Sequence, residues 1–119
     1  MPTTVSLSDS FQKELKRLAR KYPRVLDVVE TFVSTLESDQ RPGDKIPRVG
    51  YDVYKVRLKN PSARRGKSGG FRIIYYVPLA DSVVLLTIYS KTAQTDITPE
   101  EIRRALQDIL PRDLEEDSG

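Results

Sequence analysis

A chain of 119 residues, 38% of them hydrophobic, can bury one modest core and leaves no room for a second domain. It has no Cys and no His, which excludes disulfides, thiolate nucleophiles and thiolate zinc sites and removes the commonest general base and metal ligand. The net charge of +3 conceals a segregation: from Lys45 to Arg72 nine basic residues meet one acidic residue, Asp52, a concentration that suits either a polyanion or a solvated surface.

No apolar run approaches the roughly 20 residues that cross a bilayer, and the opening MPTTVSLSDS lacks the charged-then-apolar order of a secretory signal. The expectation is a cytoplasmic chain with no membrane partner. Val5 and Leu7 alternate with polar residues in a short strand, after which Phe11, Leu15, Leu18, Ala19 and Tyr22 recur at helical spacing behind an Asp9 or Ser10 cap. Pro23 suits the first turn of a second helix carrying Val25, Val28, Val29, Phe32, Val33 and Leu36. The stretch from Ser38 to Gly50, with two prolines and two glycines, reads as loop.

Three strands follow. In YDVYKVRLK, Tyr54, Val56 and Leu58 share one face and Lys55, Arg57 and Lys59 the other. The basic Gly- and Ser-containing segment NPSARRGKSGG reads as loop, and FRIIYYV then sets Phe71, Ile73, Tyr75 and Val77 against Arg72, Ile74 and Tyr76. The near-continuous apolar run SVVLLTIYSK predicts a central strand, with Val84, Leu86 and Ile88 toward the helices and Tyr89 and Lys91 emerging opposite. Thr98, Pro99 and Glu101 form the cap, first-turn proline and capping-box Glu of a last helix with Ile102, Ala105, Leu106, Ile109 and Leu110, stopped by Pro111. The predicted fold is α+β, order β-α-α-β-β-β-α. Its mainly antiparallel sheet has two N-terminal helices on one face and a basic opposite face. Residues 1–111 form one domain and 112–119 a short acidic tail.

A sheet face lined by Lys55, Arg57, Arg72, Tyr89 and Lys91 crowds like charges together, and a bound polyanion relieves the repulsion. RNA supplies phosphates for the Arg forks and bases that stack on Tyr76 or Tyr89. With neither His nor Cys, proton transfer falls to Lys, Tyr, Asp or Glu and charge stabilisation to Arg, Lys or backbone amides. No metal and no cofactor is expected. Lys59, Arg64, Arg65 and Lys67 are read as loop charges that bind RNA without doing chemistry. Tyr75 is read as a core residue and Asp96 as a helix-entry or turn residue rather than a general base.

The string VYKVRLKNPSARRGKSGGFRIIYYV, followed by LLTIYSKTAQTDI, resembles toxins of the RelE/ParE superfamily, and in particular the HigB-like branch. The match covers roughly Val53 to Ile97. GKSGG is not a phosphate-binding P-loop, because the spacing G-x-x-x-x-G-K-[ST] is absent. The resemblance implies a type II toxin with the RelE-like fold that enters the ribosomal A site and cuts mRNA without a metal, the 2′-OH attacking the adjacent phosphate. It implies catalytic roles for Lys55, Arg57, Arg72, Tyr89 and Lys91, and a HigA- or RelB-like antitoxin as partner. RelE has an Arg directly after the last Lys and a Tyr in its C-terminal segment; here those places hold Thr92 and about Thr98. A ParE-like toxin that inhibits DNA gyrase and cuts nothing shares the fold, and an inactive RNA-binding remnant is the third reading.

Overall fold

A computed structural model describes residues 3–61, 70–91 and 97–110. In it β1 (Thr4–Leu7) leads directly into α1 (Asp9–Lys21). The helix cap is Ser8 rather than Asp9 or Ser10. The Ser8 hydroxyl accepts from the Phe11 amide at 3.0 Å and donates to the Leu86 carbonyl at 3.0 Å, so one side chain both starts the helix and fastens it to the sheet. Asp9 instead occupies the first turn, where its carboxylate complements the helix dipole. α2 (Val25–Glu37) starts two residues past Pro23, which sits in the connecting turn closed by Val25 N–H to the Tyr22 carbonyl.

Five strands form one sheet in the order β1-β5-β4-β3-β2. They are β1, β2 (Asp44–Lys45), β3 (Val53–Leu58), β4 (Phe71–Leu79) and β5 (Ser82–Ser90). β1 runs parallel to β5 and every other neighbour is antiparallel. The element order is therefore β-α-α-β-β-β-β-α, one strand more than expected, because two residues of the predicted loop pair with Tyr54 and Lys55. Gly43 permits this pairing. It lies at φ +96°, and a Cβ there would come 2.4 Å from the Lys55 carbonyl oxygen.

The core lies in two parts, one on each face of the sheet. Beneath α1 and α2, Phe11, Val25, Phe32 and Leu36 pack against Val56, Phe71, Ile73, Tyr75, Val83, Leu85 and Ile88. Each large side chain buried this way contributes about 1.5–3 kcal/mol. Tyr75 is fully buried, its ring stacked on Tyr54 at 5.2 Å and edge-on to Phe32, its hydroxyl donating to the Pro42 carbonyl. Arg41 ties three segments together at the end of α2. It donates to the Leu36 and Gln40 carbonyls, to Thr3 Oγ1 and to the Ala80 carbonyl.

The opposite face differs from the expectation of a basic, solvent-open surface. α3 (Pro99–Ile109), started by the reciprocal Thr98–Glu101 capping box, lays Ile102 and Leu106 against Val53, Ile74, Leu86 and Tyr89, with Val49 closing the edge. The predicted facing of β5 is corrected as well. Leu85 pairs with Tyr75 and Thr87 with Ile74, which leaves Leu86 as an extra residue in a β-bulge. The bulge shifts the alternation, so Val83, Leu85 and Ile88 meet α1 and α2 while Val84 and Leu86 meet α3. No helix among the described residues is long and apolar enough to cross a membrane.

Candidate nucleic-acid interface

Strand alternation and register bring three of the predicted residues into one row. Arg57 on β3 is directly opposite Arg72 on β4, and Arg72 is directly opposite Tyr89 on β5. Lys55 lies two residues from Arg57 on the same face of β3, opposite Ile74 on one side and Asp44 on the other. Lys91 follows the last residue of β5 at this same end of the sheet, where its amide donates to the Gly70 carbonyl at 3.1 Å.

The members of the row differ in depth. Arg57 is exposed, Lys55 and Lys91 are half-buried, Arg72 is only 7% exposed and Tyr89 only 4%. Burial of Tyr89 corrects the expectation that its ring emerges for stacking: Leu86, Ile102 and Leu106 share its cluster, because α3 needed an apolar surface and this face of β5 supplied one. The Arg72 guanidinium lies close to the backbone, donating to the Phe71 carbonyl at 3.5 Å. Gly70, at φ +102°, lets the chain pass so near Leu58 that a Cβ would lie 2.7 Å from its carbonyl oxygen and 3.7 Å from the Arg72 guanidinium.

Arg57 and Arg72 bring two guanidinium groups to directly opposed positions, where like charges destabilise the sheet. No carboxylate among the described residues forms an ion pair with either of them. A phosphodiester satisfies both requirements, since it neutralises the charge and accepts the paired N–H donors of an Arg fork. Lys59, exposed just past β3, extends the cationic line. Arg64, Arg65, Lys67 and Asp96 lie outside the described residues.

Tyr76 shares this face but not this row. It stands four residues from Arg72 along β4, about 13 Å at the usual strand rise. There its ring meets Tyr51 edge-to-face at 5.8 Å and 88°. Burial, reinforced by Tyr51 and Asp52, pushes its hydroxyl above the usual tyrosine value. The two rings line a pocket of about 440 Å³ together with Lys45, Arg48 and Pro78. Sequence reasoning missed Tyr51 and Arg48 as a site, since Arg48 falls in the predicted loop and Tyr51 opens the strand predicted after it. Their signal was an aromatic residue directly after a glycine inside the basic stretch.

A family model described as the ParE toxin of the type II toxin-antitoxin system, parDE, matches residues 5–97, which begins in β1, takes in α1, α2 and the rest of the sheet, and ends before α3. No curated protein matches the chain significantly.

Proposed function

The chain belongs to the ParE toxin family of type II toxin-antitoxin systems, and from that premise we propose that it is a metal-independent endoribonuclease that cuts mRNA in the ribosomal A site. Membership of the family implies an antitoxin partner. The ribonuclease reading is carried by one observation: Arg57 and Arg72 stand directly opposite each other with no carboxylate paired to either among the described residues.

The chemistry asked of this row is modest. A 2′-oxygen attacks the adjacent phosphorus, the bond to the 5′-oxygen breaks, and a cyclic phosphate and a free 5′-hydroxyl result. Arg57 grips the non-bridging oxygens from the open side and Arg72 from the sheet floor, where low solvent access strengthens its field on the developing charge. Lys55 or Lys91 accepts the 2′ proton, and the other lysine protonates the departing oxygen. Tyr89, buried on β5 directly opposite Arg72, acts by supporting the floor of the row rather than by stacking on a base.

The second reading is the gyrase inhibitor implied by the resemblance to ParE, which the matching family's name favours. Expression in growing cells separates the two. The ribonuclease reading expects growth arrest and new mRNA ends within codons. Arg57→Ala, at an exposed position that does not endanger folding, should reduce those ends by about 100-fold, the usual effect of losing one charge-stabilising donor. DNA damage without new mRNA ends, or undiminished cleavage by Arg57→Ala at equal protein level, would reject it.

A further inference from the structure

The pocket at the Tyr76 end of the sheet has no part in the chemistry above, yet its walls are specific. Tyr51 is 42% exposed and rests edge-to-face against Tyr76, which offers an aromatic surface to solvent. Asp52 is already neutralised by Lys45 at 2.7 Å, so the uncompensated charge on the rim is that of Arg48. Arg48 sits at φ +67°, a left-handed conformation that a non-glycine residue adopts only when its surroundings impose it. Two contacts impose it here. Val49, next in the chain, is buried in the cluster under α3, and Arg103 of that helix donates to the Arg48 carbonyl at 2.7 Å. A strained backbone pinned on its carbonyl side holds Arg48 at the pocket that the rings line.

We propose that this pocket takes one unpaired nucleobase of the RNA strand whose backbone crosses Arg57 and Arg72. The ligand rests on the ribonuclease reading; the geometry does not. Its volume of about 440 Å³ lies within the ordinary range for small-molecule sites. Every base presents a flat π-face to Tyr51, and an Arg plane serves equally for stacking or for the neighbouring phosphate. The separation of about 13 Å along β4 corresponds to about four nucleotides at ~3.4 Å each, and to fewer when the strand is stretched. The pocket thus reads a base a few nucleotides away from the scissile bond rather than at it. A peptide segment of the antitoxin is a poorer fit, because the cationic rim favours a ligand with anionic linkages on both sides of its flat group.

The test uses the full chain and short 2′-O-methyl oligoribonucleotides, which lack the attacking hydroxyl, with fluorescent 2-aminopurine placed at each position in turn. In the wild-type protein one position is quenched on binding. Tyr51→Ala abolishes that quench and weakens binding by about tenfold to a hundredfold, the usual effect of one lost stacked base, while Tyr51→Phe retains both. Wild-type binding and quenching in Tyr51→Ala would overturn the pocket even in a chain that cuts RNA. A Tyr51-dependent quench in a chain that produces no mRNA ends would uphold the pocket and reject the nuclease. If Tyr51→Ala weakens the antitoxin complex and leaves oligonucleotide binding untouched, the site is a protein contact and the proposal fails.

Discussion

Tyr75 carries three interactions on one side chain: stacking on Tyr54, an edge contact with Phe32, and a hydrogen bond to the Pro42 carbonyl that ties the chain before β2 to the middle of the sheet. Burial, and to a lesser degree Tyr54, raise its hydroxyl well above the ordinary tyrosine value, against a smaller lowering by Arg41. The raised value belongs to the folded state, so the stabilisation is complete below about pH 10, where the phenol is protonated whether folded or not. Above about pH 10 the unfolded chain ionises while Tyr75 does not, and stability falls as pH climbs toward the folded value. Thermal unfolding followed by circular dichroism should show a declining Tm above that point. Tyr75→Phe should flatten the decline and, at neutral pH, lose about 1 kcal/mol through the hydrogen bond. A decline equally steep in the variant would assign the effect elsewhere, for example to Tyr76, whose hydroxyl is also raised.

Among the elements, α3 changes the most about how this molecule is understood. Without it the second face would expose Ile74 and Leu86; with it those residues are buried and the cationic row is confined to one end. Leu106 is fully buried in this contact, and Leu106→Ala should destabilise the fold by about 2–5 kcal/mol. A urea titration checks this: the midpoint should fall with the slope unchanged, and a shift under about 1 kcal/mol would show that α3 is a loosely held cover. The sequence made α3 itself easy to find, because Thr98, Pro99 and Glu101 spell a helix start and Ile102, Leu106 and Ile109 form a stripe. What the stripe covers was harder to see. The acceptor surface is assembled from Val49, Val53, Ile74 and Leu86, scattered over three segments, and Leu86 belongs to it only through a bulge that no periodicity in SVVLLTIYSK announces. β2 was hidden for a similar reason, being two residues whose pairing depends on the glycine beside them. By contrast, Arg57 and Arg72 were placed on one face by alternation within β3 and β4, a purely local property. Tyr89 was assigned to the same face by the same rule, but the rule is silent about what lies above a face.

Over the described residues, the basic residues between Lys45 and Arg72 lie on β2 and β3, at the start of β4 and in the segments flanking β3, while most of the acidic residues lie elsewhere in the chain. Binding to single-stranded RNA should therefore depend steeply on salt. Each phosphate neutralised contributes about 0.7 to the slope of log affinity against log salt concentration, so Arg57→Ala should lower the slope by about that amount. An unchanged slope would place Arg57 off the path of the strand.

The parallel pairing of the first strand with the fifth has a consequence for how the chain matures. Thr4 to Leu7 find their partners only at Ser82 to Leu85, and the hydroxyl that caps α1 needs the Leu86 carbonyl. Closing so long a loop is slow compared with forming the helical hairpin it encloses. During synthesis β1 must wait, unpaired with β5, until residues 82–85 have emerged. A nascent product halted before residue 82 lacks β5, the strand that joins β1 to the β3–β4 pair carrying Arg57 and Arg72.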